Sequence, residues 1–189
     1  MRFLVGIVLI VVLVIFSVIF FSGGKNGSKQ KAAVPKILPD YANTSAEVQL
    51  TTDGTINADQ IHRSIIINVS NTSSTLEVVQ GYQNNVIQTN TFPNNQDSFS
   101  KFLYALYNSN FTKARKTKLT NSAGVCPLGN RYTYELKNVP DVKDTSRWST
   151  SCGGNGTFGG LAPQVRQLFQ LQIPGYSHLT SSVSLSADQ

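Results

Sequence analysis

Histidine is nearly missing from this chain, with His62 and His178 the only two, and acidic residues are scarce at ten in 189. That leaves little material for general acid–base catalysis or for a metal centre built from imidazoles and carboxylates. No G-x-S-x-G elbow places a nucleophilic serine. Ser-x-x-Lys occurs at Ser22–Lys25, Ser28–Lys31 and Ser98–Lys101, but no Lys-Thr-Gly accompanies it, so the spacing reads as chance. The sequence has no internal repeat. No cysteine follows the N-terminal apolar run closely enough for lipoprotein-type acylation, and no acidic residue lies near its start as in a pilin-like leader. Cysteine is limited to Cys126 and Cys152. An even pair inside a folded, non-cytosolic domain is expected to form a disulfide, which leaves neither thiol for chemistry. The closed loop of about 26 residues is worth on the order of 3.5 kcal/mol in the chain-entropy description.

What is present begins with grease. Phe3 to Phe21 is an uncharged run of nineteen residues, broken only by Gly6 and Ser17. As a helix it would be about 28 Å long, the hydrocarbon thickness of a bilayer, and its insertion is favourable by about 5 to 10 kcal/mol. A signal peptide has a shorter apolar core, so a retained transmembrane anchor is expected, although Ser22 and Gly24 form a small-x-small pair that a peptidase accepts. Lys25, Lys29, Lys31 and Lys36 follow the run and only Arg2 precedes it, which by the positive-inside rule points the domain inward. The cysteine pair and a body rich in Asn, Ser, Thr and Gln point outward. The expected arrangement is a single-pass protein in the cell membrane, with residues 3–21 in lipid and the domain extracytoplasmic. Six Asn-x-Ser/Thr sequons start at Asn26, Asn43, Asn68, Asn71, Asn110 and Asn155, relevant only in a glycosylating source.

The expected organisation is an anchor over 1–24, a flexible basic linker over 25–46, an α+β domain over 47–176 and a polar tail over 177–189. Within the domain, alternation predicts strands at 47–52, 64–70, 75–82 and 86–91, with Asn84-Asn85 as the turn of a hairpin. Phe99, Phe102, Leu103 and Leu106 recur at helical spacing behind Asn95 as N-cap. Strands return at 131–137 and 147–151, and a last helix starts near Pro163. This pattern predicts an antiparallel sheet with two helices packed on one face.

Several motifs invite chemistry and do not sustain it. Gly154 to Gly159 fits G-x-G-x-x-G, but no parallel strand follows the next helix, so a dinucleotide site is not expected. Asp53, Asp59 and His62 lie close in sequence, yet Asp53-Gly54 reads as a turn and Asp59 as a loop residue, which is weak support for a metal. Tyr104, Tyr107, Tyr132, Tyr134 and Trp148 invite a carbohydrate-platform reading, but Tyr132 and Tyr134 share a strand face with Leu136 and read as core. Lys113, Arg115, Lys116 and Lys118 form a basic run after the first helix. An exported domain makes nucleic acid an unlikely match for it; an anionic surface polymer or an acidic protein face fits better. The candidate binding surface is therefore Lys113, Arg115, Lys116 and Lys118, with Asn155, Thr157 and Phe158 of the Gly-rich loop. No cofactor is expected.

Three functional readings follow. The first is a non-catalytic binding or assembly module at the cell surface. The second is an inhibitor-like domain presenting the Gly153 to Gly160 loop as a rigid ridge. The third is a small hydrolase, which would require a pocket joining His62 to a carboxylate and a serine.

Overall fold

The computed structural model describes residues 36–119, 121–139, 143, 145–154 and 156–186. The expected anchor and most of the linker lie outside these residues; among the described residues no helix is long and apolar enough to cross a membrane. Six strands form one antiparallel sheet: β1 (Glu47–Asp53), β2 (Arg63–Val69), β3 (Ser73–Gln80), β4 (Asn85–Pro93), β5 (Arg131–Lys137) and β6 (Thr145–Thr150). Their spatial order is β4-β3-β2-β1-β5-β6. Two helices, α1 (Gln96–Asn108) and α2 (Ala162–Gln170), and a short third, α3 (Tyr176–Leu179), complete the α+β domain.

Period-two patterning decides which face of the sheet is covered. Leu50 lies opposite Ile67 on one side and Tyr134 on the other, so their side chains share a face. That face carries Val48, Ile65, Val69, Leu76, Val78 and Leu136, all buried in one core with Phe99, Phe102, Leu103 and Leu106 of α1 and Val165 and Phe169 of α2. Phe102 meets Phe169 edge to face at 5.2 Å, which locks the two helices together over the sheet. Asn95 caps α1 by accepting from the Ser98 amide at 2.9 Å. The outer face carries Gln49, Thr51, Thr75, Glu77 and Thr133 and, among the described residues, bears no helix, as an antiparallel sheet allows.

Three local readings differ from expectation. The β3–β4 connection is a four-residue loop, Gly81 to Asn84, rather than a tight Asn84-Asn85 turn. Asn84 does take positive φ, at 58°, but Gly81 shares that duty at 73°, where a Cβ would strike the Asp59 carboxylate. The folded unit also begins before Glu47. A 3-10 turn at Leu38–Tyr41 buries Leu38, Tyr41, Ala42 and Ala46 against α1, although Pro39 breaks any readable period there. At the other end, Leu179, Val183 and Leu185 of the expected polar tail pack on the core, and the Leu185 carbonyl accepts from the Thr55 amide at 3.1 Å.

Burial raises the Tyr134 phenol above the ordinary 10.0, against smaller opposing effects of Ser149 and Arg166. The folded state therefore keeps this proton when the unfolded chain loses it near pH 10, so stability is complete below that pH and falls as pH climbs. A urea midpoint that drops above about pH 10 in the parent, and drops less in Tyr134→Phe, is the expected result.

Candidate functional site

The Cys126–Cys152 bridge forms, with its Cα atoms 5.7 Å apart. Cys126 lies just before β5 and Cys152 just after β6, so the bridge pins the open ends of these two paired strands. Directly beyond it runs the Gly-rich loop, and the loop is not free. The Phe158 amide donates to the Trp148 carbonyl and the Trp148 amide to Thr157 Oγ1, which attaches residues 157–158 to β6. On the loop's other side, the Arg115 amide donates to the Thr157 carbonyl at 2.8 Å and the Gly159 amide to the Lys113 carbonyl at 2.9 Å. Ala114 and Phe158 form an antiparallel bridge.

The basic run and the Gly-rich loop, separate features in the sequence, are thus one extended ledge along the β6 edge. Its underside is aromatic. Phe158 is 1% exposed, stacks on Tyr134 at 3.9 Å and meets Phe111 at 6.3 Å. Phe158 therefore belongs to the core and not to a contact surface, which corrects its place in the candidate set. Thr157 is half-buried with its hydroxyl committed to β6. Asn155 lies outside the described residues. Lys113, Arg115, Lys116 and Lys118 are exposed. Arg115 Nη1 donates to the Gly154 carbonyl at 2.9 Å, tying its side chain across the loop. Among the described residues the ion pairs are Lys101–Asp97 and Lys137–Glu135, so the ledge cations carry no carboxylate partner.

No protein-family model and no curated protein matches this chain.

A second cluster lies on the outer sheet face. Asp53 is the last residue of β1 rather than a turn residue, and register sets it opposite Ser64. Ser64 Oγ donates to Asp53 Oδ1 at 2.7 Å and lies 3.3 Å from His62 Nε2. His62, 2% exposed, stacks on Tyr82 at 4.1 Å. Its Nδ1 is 3.0 Å from the Thr55 carbonyl, which can only accept, so Nδ1 is the donor in that hydrogen bond. Asp59 is employed elsewhere, accepting from the Tyr82 amide at 2.8 Å.

This cluster joins His62 to a carboxylate and a serine, the conjunction the hydrolase reading requires, but in a different order. A charge-orienting triad sets its carboxylate on the imidazole nitrogen remote from the serine. Here a backbone carbonyl occupies that position, and the carboxylate takes the serine proton. The sequence drew attention to Asp53, Asp59 and His62 only as weak support for a metal, and Ser64 and Arg131 went unnoticed. Ser64 was the legible clue: it is a polar residue directly before Ile65, Ile66 and Ile67. Among the described residues, no group of three or more His, Cys, Asp or Glu is placed to hold a metal ion. Of the other aromatics considered, Tyr132, Tyr134 and Trp148 are buried, while Tyr104 and Tyr107 are exposed on α1.

Proposed function

We propose that this chain is a membrane-tethered binding or assembly module, anchored in lipid through residues 3–21, whose extracytoplasmic domain engages an anionic surface polymer or an acidic protein face. The contact is made by Lys113, Arg115, Lys116 and Lys118. The observation that carries this reading is the ledge itself: four exposed cations without carboxylate partners, the first two of which, Lys113 and Arg115, lie on backbone hydrogen-bonded to a loop that the disulfide and Phe158 hold in place. A fixed row of like charges loses little conformational freedom on meeting a polyanion, whereas a loose lysine tail loses more.

The same pinning weakens the inhibitor-like reading, because a loop hydrogen-bonded on both sides and buried at Gly156 and Phe158 is no projecting ridge. The hydrolase reading lacks the carboxylate–imidazole contact that would orient a general base.

Titration of the full-length chain with polyglutamate and with inorganic polyphosphate tests the proposal. Affinity is expected to fall steeply with salt, since the screening length shrinks from about 10 Å at 0.1 M to about 3 Å at 1 M. Replacing the four ledge cations with glutamine should abolish most of the binding, whereas replacing the ion-paired Lys101 and Lys137 should not. Affinity indifferent to salt, or unchanged in the ledge variant, would contradict it.

A further inference from the structure

The outer-face cluster holds chemistry that the basic ledge does not use, and the two share no residue. Asp53 lies opposite both Ser64 and Arg131, so all three side chains project from the outer face. They line, with His62 and Tyr82, a cavity of about 140 Å³. Arg131 is only 9% exposed, and its Nη1 is buried without a hydrogen-bond partner among the described residues. A buried guanidinium N–H left unpaired carries its full desolvation penalty, so the site calls for an acceptor. Asp53 lines the same cavity and forms no ion pair with Arg131. Thr150, the cross-strand neighbour of Arg131, also has a buried hydroxyl oxygen without a partner, as does Thr55 beside His62.

We propose that this cavity binds a small zwitterion of the free α-amino-acid class, with its carboxylate on Arg131 and its ammonium on Asp53. A simple anion there would meet the Asp53 carboxylate, and a simple cation would meet the Arg131 guanidinium. Opposite charges within one molecule satisfy both, through charge-assisted hydrogen bonds. Ser64 holds one Asp53 oxygen in position, and the His62–Tyr82 stack forms a flat wall. At about 30 Å³ per water in the liquid, the cavity has the room of about five waters. That suits a ligand of glycine or alanine size, with Ile66 and Val79 as the apolar part of the lining.

Calorimetric titration of the full-length chain with glycine, L-alanine, acetate and methylammonium tests this. Glycine and alanine are expected to bind saturably with Kd on the order of 1 mM or tighter, and the singly charged compounds at least about tenfold more weakly. Asp53→Asn, which keeps the shape of the side chain, and Arg131→Gln should each weaken glycine about tenfold or more. Three results would overturn the proposal: no saturable binding of either amino acid, acetate binding as tightly as glycine, or turnover of a small ester that is lost in Ser64→Ala. The last would assign the cluster to acyl transfer.

Discussion

Replacing Cys126 and Cys152 together by serine is expected to destabilise the domain by about 3.5 kcal/mol, roughly a third of the stability of an ordinary domain. The bridge closes a separation of 26 residues, and without it the unfolded chain regains that loop's freedom. Strain or residual structure could reduce the figure in an engineered bridge, but this one joins strand ends that are already paired. The urea midpoint should fall with an unchanged slope, and the thermal midpoint by about 10 °C. Losses should concentrate where the bridge acts, at the junction of β6 with residues 153–159. A loss below about 1 kcal/mol would mean that the sheet and the aromatic cluster alone hold these ends.

Phe158→Ala should cost a comparable amount, about 3 to 5 kcal/mol, by leaving a cavity beneath the ledge. Its ring is sandwiched against Tyr134 and set edge-on to Phe111, with almost no surface exposed. The neighbourhood cannot close easily, because Gly156 already sits against the Trp148 carbonyl at φ 117° and Gly160 touches the Phe158 ring. Phe158→Leu, which restores most of the volume, should cost about 1 to 1.5 kcal/mol. Lys116→Gln, on the exposed side of the same ledge, should stay within about 0.5 kcal/mol of the parent. The alanine variant should also speed amide exchange at Arg115 and Gly159, whose hydrogen bonds join the two segments. If Phe158→Ala matched Lys116→Gln, the aromatic underpinning of the ledge would be wrong.

The strands and both main helices were legible because each buries one face of a local period. Ile65, Ile67 and Val69 announce β2 within five residues, and Phe99 to Leu106 announce α1 within eight. The α+β class and the disulfide followed from such local signals. Features set by register were not legible. Ser64, Asp53 and Arg131 sit on three neighbouring strands, and only the β2-β1-β5 pairing brings them to one cavity. Phe158 read as an exposed loop residue because five of the eight residues in its loop are glycine, a composition that says nothing about its partner Ala114 far earlier in the chain. Leu38 and Tyr41 escaped notice because Pro39 interrupts them, and burial against α1 is a tertiary effect.

Thiol labelling of intact cells carrying the full-length chain tests the proposed topology most directly. Cys152 is exposed in the folded domain, so its sulfur is within reach once the bridge is opened. A membrane-impermeant maleimide should label the chain only after reductant is added, the labelled chain should stay in the membrane fraction, and the double-serine variant should remain unlabelled. Labelling without reductant, labelling only after the cells are opened, or recovery of the chain from the medium would contradict an oxidised domain tethered outside the cytoplasm.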